Sequence, residues 1–263
     1  MNMKKITSVL MAVIGLLVFA TDVTERVHER RQAEQQTADA ERRYQDARDV
    51  VTALQEALLP TALPVLPTAR IAARYLVAAH DQVAGGDWFD AITRDDGTVV
   101  LVVGDVVGHG VAASAAMGQL RAVLADALVT ETDPLAALRR ADAFAARNSL
   151  LRATTAALVV LDPATGALRY ASCGHPPPLV VGADGATRYL TGSSTGPLGT
   201  GSAPAVAADV LAPGDLVVLY SDGLIERRDA DLDTGLDRLR KHLAEWVDDT
   251  RKAAVNSAVA FAA

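Results

Sequence analysis

The chain has 263 residues, half of them apolar, which is enough for one large domain with an appendage and excludes a disordered chain. Acidic residues outnumber basic ones by 32 to 25, and no stretch combines Lys/Arg clusters with aromatics, so the charge pattern offers nucleic acid no footprint. The single cysteine, Cys173, excludes an intramolecular disulfide and a thiolate zinc cluster and fits a reducing compartment.

Residues 1–22 form an apolar N-terminal segment, with Lys4 and Lys5 ahead of the run Val9 to Ala20. The run has signal-peptide length, short of the roughly 20 residues a spanning helix needs. Arg26, Arg30 and Arg31 outweigh the two lysines, so an anchor here would leave the rest of the chain cytoplasmic, held at the inner face of the membrane. Signal peptide, short anchor and packed terminus all remain open. Residues 23–59 read as a helical linker. In it Ala33, Thr37, Ala40, Tyr44, Ala47, Val51, Leu54 and Leu58 alternate at spacings of four and three, with Glu, Arg, Gln and Asp between them. Such a stripe is the seam of a parallel coiled coil, which predicts a homodimer; a single amphipathic helix lying on the domain is the other reading. Pro60, Pro64 and Pro67 end the helix and mark a boundary, so the main domain is placed at 60–263.

Beyond the prolines, β-branched runs at 71–79 and 98–106 predict strands, with Asp95-Asp96-Gly97 as a hairpin turn. Gly110 to Val129 reads as a helix lined with alanines that can lie close on a sheet, and Pro134 opens another behind Asp133 as N-cap. Residues 154–174 form a second hairpin around Pro163-Ala164-Thr165-Gly166, 215–223 a buried strand ending in an acidic turn, and Thr234 to about Val247 a last helix. Strands joined by hairpins, with helices in separate runs, predict an α+β fold of antiparallel sheets covered by helices.

Asp87 in GGD, Asp105 in VVGDV and Asp222 in YSDG each close an apolar strand or open a glycine turn. Isolated buried carboxylates there would cost several kcal/mol without a compensating cation, so a divalent-metal site with hard oxygen ligands is predicted. Taken singly, each is equally an ordinary turn residue. His109, in a Gly-His-Gly turn, and His175, ahead of Pro176-Pro177-Pro178, are candidates for protonating a leaving group, and both can equally be structural. Glu226 follows the Asp222 turn and is read as solvated.

GGDWFD, GDVVGHG with the following MGQLR helix, CGHPPPLV, PLG and LAPGDLVVLYSDGLIE resemble, in order, the motifs of the stage II sporulation protein E (SpoIIE/RsbU)-like branch of the PPM, or type 2C, metal-dependent serine/threonine phosphatases, over roughly residues 60–235. The helix carrying LQEALLP resembles that branch's signalling linker. The resemblance implies an α-β-β-α sandwich with two Mn²⁺ or Mg²⁺ ions at one edge. By position, Asp105 would bridge both ions, Asp87 and Asp222 would each bind one, and the carbonyl of Val106 would add a ligand. It implies hydrolysis of phosphoserine or phosphothreonine by metal-activated water, on a regulatory protein such as a STAS-type anti-sigma-factor antagonist. The end of the chain departs from the pattern: Asp248 and Asp249 follow a helical run directly, without the apolar strand that carries the branch's last Asp-Asp motif. The domain therefore reads as truncated or divergent at its C-terminus. A catalytically impaired, partner-binding module is the competing expectation, and a small-molecule phosphoesterase a third.

Overall fold

In the computed structural model, residues 26–46, 49–50, 53, 57–75, 85–227, 231–251 and 258–262 are described. The apolar N-terminal segment, and Ala47, Val51 and Leu54 of the seam, lie outside them. The chain divides into two units, Met1–Val50 and Val51–Ala263.

In the first unit, residues 26–46 form helix α1. Its described side chains are all exposed, and pairs one turn apart, such as Arg30 with Glu34 at 2.8 Å, line its polar face.

The second unit is built on two facing sheets. One holds β2 (Trp88–Thr93), β3 (Val99–Asp105), β4 (Thr155–Leu161), β5 (Ala167–Cys173) and β8 (Ser194–Thr195) in that order, with β9 (Ala207–Val210) also paired to β5. The other runs β1 (Arg70–Arg74), β11 (Ala258–Ala262), β10 (Leu216–Tyr220), β6 (Leu179–Val181), β7 (Thr187–Tyr189). The predicted hairpins are present: Arg94 and Thr98 close the Asp95-Asp96-Gly97 turn at 2.9 Å, and Asp162 and Gly166 close the second at 2.8 Å.

Period-two alternation explains how the second sheet stays dry on both faces. Val217, Leu219 and Val180 face the first sheet, whereas Leu216, Val218, Tyr220, Leu179 and Val181 face away, toward Leu236, Leu239 and Leu243 of helix α4 (Leu232–Arg251). On the outer side of the first sheet lie α2 (Val111–Thr130) and α3 (Pro134–Ala146). The stripe Ala113, Ala116, Met117, Leu120, Leu124, Ala127 and Leu128 buries one face of α2. By length and composition α2 could cross a membrane, but that buried stripe marks it as a core helix. Asp133 caps α3 by accepting from the Leu135 amide at 3.2 Å. The layers are thus α-β-β-α.

Two features differ from the sequence expectation. The sheets are not wholly antiparallel: β11 runs parallel to both β1 and β10, and β8 parallel to β5. The β10–β11 pair is parallel because helix α4 carries the chain back across the sheet between them. The second difference is β11 itself. The last helix does run through Asp248 and Asp249, but an apolar strand, Ala258–Ala262, follows it. With β11 and β6 on either side, β10 is an interior strand.

Trp88, fully buried at the start of β2, lies over Gly104, its register partner on β3. A Cβ on Gly104 would fall 2.2 Å from the indole, so no larger residue fits without displacing the ring. Gly104→Ala is expected to lower stability by about 3 kcal/mol, read as a reduced urea midpoint at unchanged slope.

Candidate metal centre

The three predicted carboxylates meet at one end of the sandwich, and they come from both sheets. Asp105 is the last residue of β3, and Asp87 immediately precedes β2, which pairs with it. Asp222 follows β10 of the opposite sheet and opens a short 3₁₀ turn, Asp222–Leu224, in which the Ile225 amide donates to its carbonyl at 2.8 Å.

The glycine pair before Asp87 sets its place. The Val106 amide donates to the Gly86 carbonyl at 3.2 Å, and a Cβ on Gly86 would lie 2.0 Å from the Val106 carbonyl oxygen. Only glycine lets the loop lie directly on the end of β3. That contact holds Asp87 beside Asp105 and puts the Val106 carbonyl, the predicted backbone ligand, against the same loop. The Ser114 hydroxyl in the first turn of α2 donates to the Gly85 carbonyl at 3.0 Å, tying the helix to the loop.

The electrostatics follow from this crowding. Asp105 is pushed up to about 8, chiefly by burial, then by the charge of Asp87, a hydrogen bond to Asp87 and the charge of Asp222. Burial also raises Asp87, with the charge of Asp222 adding to it; hydrogen bonds from Asp105 and from the Ser221 hydroxyl work the other way. Burial and the neighbouring carboxylate thus favour a proton held between the two. Among the described residues, no Lys or Arg acts on either carboxyl. Among the described residues no three His, Cys, Asp or Glu side chains stand at ligand spacing; Asp222 acts on the pair through its charge. Oxygen donors of this kind fit Mn²⁺ or Mg²⁺ and suit neither zinc nor copper.

The remaining candidates fall elsewhere. His109 is exposed in the loop between Asp105 and α2, flanked by exposed Val107 and Val111. Glu226 is exposed as predicted, its amide donating to the Asp222 carbonyl at 2.6 Å. His175 is buried, with Nδ1 2.8 Å from the Thr155 hydroxyl and Nε2 2.9 Å from the Tyr220 carbonyl, so it is a structural histidine and not a surface acid. Sequence reasoning missed Ser221, whose hydroxyl reaches Asp87, and the ion pair of Arg121 on α2 with Asp90 on β2 at 3.0 Å. A serine beside Asp222 gives no sign in the sequence that it faces a loop more than a hundred residues away. The Arg121–Asp90 pair breaks the apolar pattern of both elements and was visible as an unexplained charge on each.

Residues 95–260 match the family described as Stage II sporulation protein E (SpoIIE). The chain belongs to this family. Protein IcfG of Synechocystis is 27% identical over 207 residues, which are 66% of this chain and 32% of IcfG. Among solved structures, the RsbU and RsbW domains of Rv1364c from Mycobacterium tuberculosis share 38% identity at a TM-score of 0.64, over 73% of this chain and 55% of that one. The SiaA-PP2C domain of Pseudomonas aeruginosa, at 23% identity and a TM-score of 0.58 over 80% of this chain and 90% of its own, shares the fold. The chain spans about a third of IcfG and about half of the Rv1364c chain. The fold is that of the PP2C phosphatase domain of this SpoIIE/RsbU-like branch.

Burial pushes His175 down to about 4, against 6.5 for a free imidazole, although its bond to the Tyr220 carbonyl opposes this. A histidine depressed on folding adds proton uptake to the unfolded state, so its share of stability is present above pH 6.5 and is lost as pH falls toward 4. The stability gap between wild type and His175→Gln should therefore narrow by about 3 kcal/mol from pH 7 to pH 4, measured by urea unfolding at each pH.

Proposed function

We propose that this chain is a metal-dependent phosphoprotein phosphatase domain whose centre is formed by Asp87, Asp105, Asp222 and the Val106 carbonyl. The observation that carries it is the convergence of three carboxylates from two sheets with no positive side chain acting on Asp87 or Asp105 among the described residues. In this reading Asp87, Asp105 and Asp222 would hold the ions as hard oxygen ligands, with Asp105 ionised. When bound, Mn²⁺ or Mg²⁺ ions would activate water toward a phosphoserine or phosphothreonine and offset charge on the phosphoryl oxygens. Ser221 orients Asp87 by its hydroxyl, and the Gly86–Val106 contact keeps Asp87 and Asp105 at a fixed separation. His109, exposed in the loop that follows Asp105, would in this reading protonate the departing serine or threonine oxygen.

The substrate in this reading is a phosphorylated regulatory protein, a STAS-type anti-sigma-factor antagonist, supported by membership of the SpoIIE family and by the likeness to an RsbU domain. Residues 60–263 would be the phosphatase domain and 23–59 a coiled-coil linker pairing two chains, on the cytoplasmic side and held at the membrane by residues 1–22. The uninterrupted exposure of Ala33, Thr37, Ala40 and Tyr44 along α1 supports the linker assignment.

Purified protein with Mn²⁺ should release phosphate from a model phosphoester, and Asp105→Ala should reduce release to background. If wild type and Asp105→Ala are equally inactive with Mn²⁺ present, the enzyme reading fails and the partner-binding module stands. For the linker, Tyr44→Asp should convert a dimer to a monomer in sedimentation equilibrium; a wild type that sediments as a monomer contradicts the pairing.

A further inference from the structure

His175 sits where the two sheets meet, and each of its ring nitrogens reaches a different sheet. The Tyr220 carbonyl, on β10, can only accept, so Nε2 carries the hydrogen and donates across 2.9 Å. Nδ1 is then the acceptor for the Thr155 hydroxyl, on β4, at 2.8 Å. The carbonyl of His175 in turn accepts from the buried Ser172 hydroxyl on β5, which fixes the backbone that holds the ring. With both ring atoms and the backbone engaged, the imidazole has one orientation.

What lies at the far end of each bond gives the bridge its meaning. Thr155 is the register partner of Asp105 across the β3–β4 ladder. Tyr220 is the last residue of β10, directly before Ser221, whose hydroxyl reaches Asp87, and two residues before Asp222. Elsewhere the sheets face each other through Leu101, Val103, Val180, Val217 and Leu219, aliphatic contacts that attract without direction and permit sliding. The histidine bridge is directional, and it stands at the end where the three carboxylates converge.

We propose that His175 is a positioning residue which, through Thr155 and Tyr220, sets the separation between the Asp105-bearing end of one sheet and the Asp222-bearing end of the other, and thereby the affinity of the centre for a divalent cation. The proposal rests on the metal reading of Asp87, Asp105 and Asp222. It assigns the histidine of the CGHPPP motif a part in ion binding with no contact to ion or substrate.

Thr155→Val tests this with little disturbance, since valine keeps the branched shape and strand preference and removes only the hydroxyl. Calorimetric titration of the purified full chain with MnCl₂ should show affinity weakened about tenfold or more in Thr155→Val and in His175→Gln, the range in which loss of an outer-shell partner acts, while Thr155→Ser stays near wild type. The double variant should bind no more weakly than His175→Gln alone, because the two substitutions break the same bridge. If Thr155→Val melts earlier but binds Mn²⁺ as wild type does, the histidine is structural only and the proposal fails while the metal centre stands. If wild type takes up no Mn²⁺, both fail. Thr155→Val alone decides should His175→Gln not fold.

Discussion

Mutual repulsion among Asp87, Asp105 and Asp222 is the constraint around which the domain is arranged. Two of them, Asp87 and Asp105, are brought partly out of water at one end of the sandwich with the exposed Asp222 nearby, which lowers its stability and raises both above the ordinary carboxylate value, Asp105 to about 8. The rest of the domain must hold them there. The first sheet does so with an interior strand, β3, whose residues Val99 to Val103 are completely buried or nearly so. The second supplies β10, flanked by β6 and β11. Stability drawn from two apolar layers is spent at one edge, the usual arrangement where a site is built for a charge yet to arrive.

Around that edge the chain uses short, specific contacts. Gly86 lies on the Val106 carbonyl, Ser114 ties α2 to the same loop, Ser221 reaches Asp87, and His175 bridges β4 to β10. One step further out, Arg121 pairs with Asp90 at 3.0 Å, as an ion pair without the alignment of a hydrogen bond through Nε, and donates from Nη1 to the Leu58 carbonyl at 2.9 Å. Leu58 belongs to the segment that leads into the domain, and its side chain also meets Gly118 of α2. Through Arg121 and Ser114 one helix touches both that segment and the loop carrying Asp87.

Much of this was legible in the sequence because its signals are local. Asp95-Asp96-Gly97 and Pro163 to Gly166 announce hairpins by turn chemistry, Asp133-Pro134 announces a helix start, and the glycines beside Asp87 and Asp105 mark close approaches, of the Val106 backbone to Gly86 and of the Trp88 ring to Gly104. The short strands β6 to β9 were not foreseen. They have two to four residues each, too few for alternation to register, and take their place from pairing with β5, with β10 and, for β7, with β6. Strand β11 was missed for a different reason: its partners, β1 and β10, lie at the other end of the domain and just before α4, and nothing near Ala258 signals a pairing of that range. The site divides in the same way. Its carboxylates stood out through their own turns, whereas Ser221 and the partners of His175 act across the fold and leave no local mark.

The central claim, that Asp87, Asp105 and Asp222 together hold divalent metal, is tested most directly by anomalous diffraction at the manganese edge from crystals grown with MnCl₂. Anomalous peaks among these three carboxylates, close to the Val106 carbonyl, with Asp222 drawn into the cluster, are the predicted result. A crystal at saturating Mn²⁺ with no peak there, and with Asp87 still hydrogen-bonded to Asp105, would contradict it.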